Sequence, residues 1–461
     1  MRKEKDSMGN MQVPDDAYYG AQTQRAIQNF QISDRKIPKS IIRAIGIIKR
    51  SCAVVNSDLN NLDVKIKDAI IKAADQVIIG EFDNQFLVDV YQTGSGTSTN
   101  MNANEIIANR ASEILGGNIG DRFPVHPNDH VNLGQSSNDV IPTAIHIAAC
   151  EEISKNLLPS LVGLHNSLLQ KVDKFSEVVK IGRTHLQDAT PILLGQEFSG
   201  YAEQINNAMK RIKHSQESMF ELAIGGTAVG TGINAHKQFG ENVSNEISLF
   251  CDLPFIEAVN HFEAQATQDK SVDLSSSLKI LAVSLTKIAN DIRLLSSGPR
   301  AGIGEIIIPA VQPGSSIMPG KVNPVISEST IQVCAQVIGN DTAITQGGLG
   351  SYFELNLMLP LIGSNLLESI TILSNCIIMF KEKLIDGLEA NLEVCHGYVE
   401  SSLAMCTSLV PVIGYDRAAE LAYKAHNSGK TIREVAIEEN ILSIEQLDKL
   451  LDPISMTKPG K

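Results

Sequence analysis

The chain has 461 residues, of which 43% are hydrophobic, 20% are charged and only 5% are aromatic, with no tryptophan. This composition indicates a globular protein of two or three domains and favours packed helices over a β-sandwich. The formal net charge of −13 argues against nucleic acid or an anionic membrane as partner, and an anionic substrate would need a locally positive pocket.

The seven cysteines are scattered, and none belongs to a Cys-x-x-Cys pair. This spacing predicts reduced, buried thiols rather than a disulfide framework, a zinc site or an iron–sulfur cluster. Residues 1–10 are charged and lack the apolar core of a signal peptide, and no apolar run approaches the roughly 20 residues of a membrane-spanning helix. We therefore expect a cytoplasmic protein that holds no metal and binds no membrane.

Residues 1–135 are broken into short pieces by turn signals and predict a mostly helical N-terminal domain. The stretches Val13–Asp16 and Tyr19–Arg25 are loop-like. Gly94–Asn100 predicts a further loop that leads into a helix. Apolar residues at helical spacing predict three helices in this domain, over Ile41–Leu59, Val64–Gly80 and Met101–Leu115.

Residues 136–391 predict a central domain of five long helices separated by glycine-rich or proline-marked loops. The apolar-periodic segments are Asp139–Phe175, Gln196–Leu222, Ala264–Ser297, Pro324–Thr345 and Glu354–Leu388. Pro159 interrupts the first segment and predicts a kink. Helices of this length cannot bury both sides within a monomer unless they are bundled. The pattern favours a homo-oligomeric helical core, with a long monomeric bundle as the alternative.

Residues 392–461 predict a small C-terminal helical domain. Gly414–Asp416 opens a helix that continues through Ala425 and stops at Gly429, and two shorter helices follow before Pro453. The predicted fold is therefore mainly α, with three domains arranged around a central bundle of five long helices.

The stretch Gly314–Asn323, G-S-S-I-M-P-G-K-V-N, holds two adjacent hydroxyls, a lysine and an amide. Its glycines and prolines predict a loop. Asn323 followed by Pro324 predicts the start of a helix with Asn323 as its N-cap. Hydroxyls and a fixed cation at a helix N-terminus suit the binding of an anion, and an ordinary polar surface loop is the alternative.

Three further stretches are richer in small polar residues than folding requires. Gly94–Glu105 spaces hydroxyls and amides with glycines, which suits a carboxylate or phosphate, although helix capping alone gives similar clusters. Val125–Asp139 carries two histidines and a Ser-Ser-Asn helix start, which favours anion binding over a metal site because no second ligand cluster follows. In Gly182–Asp188, His185 is a candidate acid or base in a loop between two long helices, with a structural histidine as the alternative.

In this order and around five long helices, these four stretches resemble the fumarase/aspartase superfamily from Met8 to Pro453. Within that superfamily the sequence is most similar to class II fumarases. The segments that carry this resemblance are V-P-D-D-A-Y-Y-G-A-Q-T-Q-R-A at Val13–Ala26, G-R-T-H-L-Q-D-A-T-P at Gly182–Pro191, L-G-Q-E-F-S-G-Y at Leu194–Tyr201 and F-E-L-N at Phe353–Asn356. Two departures are Gly134, where class II fumarases usually have serine, and the loop Gly347–Ser351. We expect these two departures to affect substrate preference more than the type of reaction.

The resemblance implies reversible addition of water to fumarate, giving (S)-malate, with no metal and no organic cofactor. It implies that Ser315 is the base and that His185, held by Glu328, orients or protonates the water. It also implies that Lys321 stabilises the charge of the intermediate. The residues implied for substrate binding are Ser95, Gly96, Thr97, Ser136, Ser137, Asn138, Thr184, Ser316, Lys321 and Asn323. A secondary carboxylate site is implied at His126, Pro127, Asn128 and Asp129.

The resemblance further implies a homotetramer whose active sites combine loops from three subunits. Two alternatives stay open from the residues alone. One is an ammonia-lyase of the same fold that acts on aspartate, and the other is a structural protein that keeps the fold without catalysis. Both Ser315 and His185 are present in the sequence, which favours an enzyme over a structural protein.

Overall fold

The computed structural model describes residues 1–459, and these residues are mainly α-helical, which confirms the predicted fold class. The helices are α1 (Ala21–Asn29), α2 (Lys39–Asp58), α3 (Val64–Ile78), α4 (Thr97–Ile114), α5 (Ser137–Glu152), α6 (Leu158–Lys174), α7 (Leu194–Ser218), α8 (Phe239–Cys251), α9 (His261–Ala266), α10 (Asp269–Leu295), α11 (Val325–Gly348), α12 (Leu359–Phe380), α13 (Leu392–Ser401), α14 (Val410–Ile413), α15 (Tyr415–Ser428), α16 (Ile432–Glu438) and α17 (Ile444–Leu450).

Short strands form two-stranded sheets between these helices. The strands are β1 (Arg2–Asp6), β2 (Gly9–Val13), β3 (Val179–Thr184), β4 (Gln187–Leu193), β5 (Glu221–Leu222), β6 (Ile256–Glu257), β7 (Ile306–Ile307), β8 (Ser351–Tyr352), β9 (Leu355–Asn356) and β10 (Glu389–Ala390). The pairs β1–β2, β3–β4, β7–β10 and β8–β9 are antiparallel, and β5–β6 is parallel.

Each of the five predicted long segments contains a long helix, although β5 lies at the end of the second segment and β9 at the start of the fifth. The first is interrupted as predicted, because a π-helical turn at Ile153–Leu157 separates α5 from α6 just before Pro159. Proline cannot donate the backbone hydrogen bond of a regular helix, so a local widening of the turn accommodates it. The remaining four segments correspond to α7, α10, α11 and α12. In α10 the apolar residues at helical spacing, which include Leu278, Leu285 and Ile292, are fully buried.

One compact unit consists of Met1–Pro159, Ala208–Ala282 and Cys334–Ser374. In it α2 packs against α3, α5 and α8, and α4 packs against α1 and α3. Ile45 and Ile48 on the predicted apolar face of α2 are fully buried. This unit therefore brings the start of α4 and the start of α5 into the same part of the fold.

A second compact unit consists of Ser160–Asn207, Val283–Val333 and the chain from Asn375 onward. Its β3–β4 hairpin packs against α13. Val179 of β3 and Leu421 of α15 belong to the same hydrophobic core. The predicted domain limits at residues 135 and 391 stay a prediction.

The first residues form the β1–β2 hairpin, for which the sequence carried no prediction. Two local predictions from the sequence were wrong. The loop-like stretch at Tyr19–Arg25 becomes helical from Ala21, because the buried carboxylate of Glu105 accepts the backbone N–H groups of Gln22 and Thr23 and so caps α1. The predicted loop around His185 is the tip of the β3–β4 hairpin.

The helix Leu359–Ile385 is long and apolar enough to cross a membrane by length and composition, with a mean hydropathy of 1.5. The expectation that no segment reaches this limit was therefore wrong. However, 67% of its most apolar 18-residue stretch is buried inside the protein, which is typical of a core helix. The absence of a membrane partner stays a prediction.

Candidate active site

The stretch Gly314–Asn323 is a loop, as predicted, and its two ends are joined. The Gly314 N–H donates to the Lys321 carbonyl at 2.8 Å, and the Asn323 side-chain amide donates to the Gly314 carbonyl. A Cβ atom at Gly314 would lie 2.3 Å from the Lys321 carbonyl oxygen, so only glycine fits there. Asn323 is not the helix N-cap that the sequence predicted. Its side chain closes the loop instead, and α11 begins at Val325.

The hydroxyl of Ser315 is held inside this loop by two backbone donors. Its Oγ accepts the N–H of Ile317 at 3.2 Å and the N–H of Met318 at 3.0 Å. Two donors aimed at one oxygen stabilise negative charge on it. The two N–H groups therefore orient this oxygen and can stabilise negative charge that develops on it, which is what a base at this position requires. Ser316, its neighbour, is exposed.

Lys321, Asn323 and Glu328 line one cavity of about 700 Å³ in the second unit. Arg293 contributes a second cation to the same wall. The charged side chains of this lining are thus two cations and the one carboxylate of Glu328, and Lys321 is exposed, so its charge is accessible to an anion. A locally positive pocket in a protein of net charge −13 is what binding of an anionic substrate needs.

His185 lies at the exposed tip of the β3–β4 hairpin, next to Thr184. Thr184 pairs with Gln187, so His185 and Leu186 form the two-residue turn. Both have positive φ, 57° and 59°, as a type I′ hairpin turn requires. Outside glycine such angles are uncommon, and they are concentrated at functional sites.

An ion pair with a buried carboxylate holds β3 just before this turn. A guanidinium nitrogen of Arg183 donates to the Glu305 carboxylate at 2.7 Å, and Glu305 is fully buried. Within residues 1–459 of one chain, no hydrogen bond or ion pair joins His185 to Glu328. The proposed contact between these two residues stays a prediction.

In the first unit the structure brings two predicted binding stretches together. The hydroxyl of Thr97 lies 2.8 Å from that of Ser95 and 2.6 Å from that of Ser137. Gly96 is the left-handed N-cap of α4, so Thr97–Asn100 are helical rather than part of the predicted loop. Three hydroxyls therefore meet where the positive ends of α4 and α5 lie close to each other.

Ser136 and Asn138 frame the start of α5. Ser136 is the N-cap, and its capping box is completed by Asp139, whose carboxylate accepts the Ser136 N–H at 2.8 Å. Asn138 donates its side-chain amide to the Ala228 carbonyl at 2.8 Å. Asp139 is fully buried, and this burial raises its pKa to about 6. The backbone N–H of Thr227, at 2.9 Å, also stabilises its carboxylate.

The predicted secondary site is a π-helical turn over Pro127–Val131, capped by His126. The His126 Nδ1 atom accepts the backbone N–H groups of Asn128 and Asp129 at 3.2 and 3.1 Å. Nε2 is therefore the ring nitrogen left to contact a ligand. Asn128 and Asp129 are exposed beside it.

No group of three or more His, Cys, Asp or Glu side chains within residues 1–459 is arranged to hold a metal ion. All seven cysteines are free thiols. The absence of a metal and of a cofactor stays a prediction.

Two features near the start of α5 were missed from the sequence. Lys49 is fully buried in α2, although its position among Ile45, Ile48 and Cys52 on a buried helix was a visible signal. Thr227 adopts φ 55°, which is unusual for a β-branched residue. Its hydroxyl is buried without a hydrogen-bond partner in the described part of the chain.

Comparisons with known proteins identify the family of this chain. The family described as "Lyase" matches residues 9–339, and the one described as "Fumarase C C-terminus" matches residues 405–458. A class II fumarate hydratase from Nitrosomonas europaea is 52% identical over 457 residues, covering 99% of both chains. The mitochondrial fumarate hydratase of Homo sapiens is 50% identical over 460 residues, which covers 99% of this chain and 90% of the relative.

Similarity of structure extends over the whole chain. A crystal structure of class II fumarase from Schistosoma mansoni superposes with a TM-score of 0.97 at 42% identity and covers 100% of both chains. The chain belongs to the class II fumarases. As a member of this family it is a lyase. Gly134 has φ 73°, a left-handed backbone that glycine adopts without strain.

Proposed function

We propose that this protein catalyses the reversible hydration of fumarate to (S)-malate, as a fumarate hydratase of the tricarboxylic acid cycle. The observation that carries the proposal is the Ser315 hydroxyl, held by two N–H donors in an exposed loop that also presents Lys321. Membership of the class II fumarases and the fumarate hydratase relatives support the same reaction.

In the dehydration direction, Ser315 takes the proton from the carbon next to a malate carboxylate. The electron pair that this leaves builds a dianionic aci-carboxylate, which Lys321, Asn323 and the N–H groups of the loop stabilise. The carbon–oxygen bond then breaks, and His185 protonates the hydroxyl so that it leaves as water. Hydration of fumarate follows the same steps in reverse.

The substrate carboxylates bind where the N-termini of α4 and α5 meet in the first unit. The hydroxyls of Ser95, Thr97 and Ser137 and the N-terminal ends of α4 and α5 supply hydrogen bonds and partial positive charge. No metal or organic cofactor enters this mechanism, because charge stabilisation by Lys321 and backbone donors replaces it.

The proposal includes a homotetramer in the cytoplasm whose active sites combine residues from several subunits. Two observations support shared sites. His185 and Lys321 are exposed on the single chain, although a proton-transfer site needs to exclude water. Large apolar side chains on the long helices are also exposed, including Val283 of α10, Ile338 of α11 and Ile378 of α12.

Direct assay of three substrates tests this function. The purified protein is incubated with fumarate, malate or aspartate, and fumarate is followed by its absorbance. We expect malate to yield fumarate and fumarate to be consumed without ammonia. Release of fumarate from aspartate would instead identify an ammonia-lyase, and no turnover of any substrate would favour the non-catalytic alternative.

A further inference from the structure

A fully buried lysine on α2 lies in the same compact unit as the helix starts of α4 and α5. Lys49 is 0% exposed, and its ammonium donates to the Asn132 Oδ1 atom and the Gln135 Oε1 atom, both at 2.9 Å. Both acceptors are neutral amides. Among residues 1–459 no carboxylate forms an ion pair with Lys49. A buried charge without a counter-charge is costly, so this arrangement calls for a function.

The ammonium of Lys49 is the centre of an amide cluster that reaches both binding stretches. The Asn132 Oδ1 atom also accepts the side-chain amides of Asn100 at 3.2 Å and Asn104 at 3.1 Å. These two residues lie on α4, the helix that begins at Thr97. On the other side, Gln135 immediately precedes the helix start of α5. Lys49 therefore fixes both helix starts relative to each other.

The charged groups around Lys49 leave it without a close partner. Asp139 of α5 and Cys52 of its own helix are the titratable groups that act on it. The carboxylates of Asp75 on α3 and Glu246 on α8 pair with Arg50 instead. Burial lowers the pKa of Lys49 to about 7, so the free protein holds it partly neutral at neutral pH.

We propose that Lys49 is a positioning residue that takes up a proton when a dicarboxylate binds. The inference rests on the proposed function, because it requires a dianionic ligand at the helix starts of α4 and α5. The arriving negative charge favours the ammonium form, and the charged ammonium in turn orders the amide cluster that presents those helix starts. Lys49 thus couples affinity for the dianion to pH without contacting it.

Calorimetric titration with succinate tests the proton uptake directly. Succinate is a saturated dicarboxylate that cannot be hydrated, and the wild-type assembled enzyme is titrated in buffers that differ in ionisation enthalpy. At pH 8 we expect uptake of about one proton per site, because Lys49 is then mostly neutral before binding. At pH 6 we expect far less uptake. Binding of succinate at pH 8 without proton uptake would overturn the proposal.

Lys49→Met identifies the group that takes up the proton. We expect this variant to lose the uptake at pH 8 and to bind succinate roughly 10- to 100-fold more weakly at pH 7. Lys171→Met is the matched control. Lys171 is also buried, and its ammonium donates to two backbone carbonyls, those of Asp386 and Leu388. Lys171→Met should keep the proton uptake at pH 8 and the wild-type affinity for succinate. Unchanged uptake in Lys49→Met would refute the assignment.

If Lys49→Met does not fold, Lys49→Arg provides the same test, because arginine stays charged over this pH range. Succinate should then bind without proton uptake, and uptake equal to that of the wild type would again refute the role of Lys49. Turnover of fumarate is measured separately. Turnover without uptake would contradict only the role of Lys49, whereas Lys49-dependent uptake without turnover would contradict only the hydratase.

Discussion

The hydroxyl of Thr97 lies 2.6 Å from the hydroxyl of Ser137, so the first turns of two helices that begin 40 residues apart share a hydrogen bond. Ser95 extends this chain of hydroxyls by one more contact. Helix N-termini carry partial positive charge and unsatisfied N–H groups. Their meeting point is therefore suited to hold a carboxylate in one orientation, and each hydroxyl contributes to that affinity.

Replacing Thr97 by valine tests this contribution. Thr97→Val keeps the shape of the side chain but removes the central hydroxyl, and a hydrogen bond to a charged group contributes about 1.5–3 kcal/mol. We expect KM for fumarate and malate to rise roughly 10- to 100-fold, as measured by steady-state kinetics. Ser98→Ala is the control, because Ser98 pairs with Thr93 at the same helix start. Equal effects of both variants would contradict a specific role for Thr97.

Removal of the Ser315 hydroxyl tests the identity of the base. In Ser315→Ala the N–H groups of Ile317 and Met318 lose their acceptor, but the loop is still closed by Gly314 and Asn323. We expect turnover to fall by roughly 10²–10⁴, the usual contribution of a positioned acid or base. Thermal unfolding and native mass should match the wild type. Unchanged turnover would place the base elsewhere.

The pH dependence of stability is expected to depend on His146. It is buried on α5, and its Nδ1–H donates to the Glu221 carbonyl at 2.8 Å. Burial lowers its pKa to about 4. Between that value and the unfolded value of about 6.5, the unfolded chain binds more protons, so the free energy of unfolding rises with pH. His146 stays neutral in the folded protein down to about pH 4, and the free energy of unfolding falls as the pH drops towards that value.

Between pH 7 and pH 4, the stability of the variant His146→Gln should therefore fall less than that of the wild type. We expect the wild type to lose up to about 3 kcal/mol more than this variant over that range. The measurement is urea unfolding at a fixed protein concentration, followed by circular dichroism. His214→Gln is the control, because the His214 side chain is 87% exposed. Parallel pH profiles for wild type and His146→Gln would contradict this prediction.

Independence from metals is tested by dialysis. No ligand cluster is present within residues 1–459, so we expect a strong chelator to leave the turnover of fumarate unchanged relative to a mock-dialysed sample. Activity that disappears and returns on addition of iron or zinc would contradict the prediction and the proposed mechanism together.

Long helical segments could be predicted from the sequence because their signal is repeated over many turns. Leu278, Leu285 and Ile292 recur at helical spacing in α10, and all three are buried. Where a structure depends on one distant residue, the local sequence was insufficient. The helix at Ala21 is an example, since its N-terminus is stabilised by Glu105 from another helix.

Composition identified the polar stretches but could not show which of them contact each other in the folded protein. The contact between Thr97 and Ser137 depends on the packing of separate helices. The role of Asn323 also depends on tertiary structure, because its amide reaches back to Gly314 instead of capping α11. Lys49 was missed because a lysine in an amphipathic helix is normally exposed, so its apolar neighbours were not taken as a sign that it is buried.

Assembly of the active site from several chains gives the most specific prediction. Ser315→Ala and His185→Asn are each expected to be inactive. If one site takes its serine from one chain and its histidine from another, hybrid tetramers contain sites with both wild-type residues. With equal mixing, each residue has an even chance of being wild type, so about a quarter of the sites should recover activity.

Refolding the two variants together and measuring turnover of fumarate checks this expectation. The matched control mixes Ser315→Ala with the double variant Ser315→Ala/His185→Asn, in which no site can receive a wild-type serine. Native mass spectrometry establishes that hybrids have formed in both mixtures. Sites built within one chain could never recover, because each chain carries a lesion. Hybrids without activity would therefore refute the shared site, while the hydratase reaction would still be decided by the substrate assay.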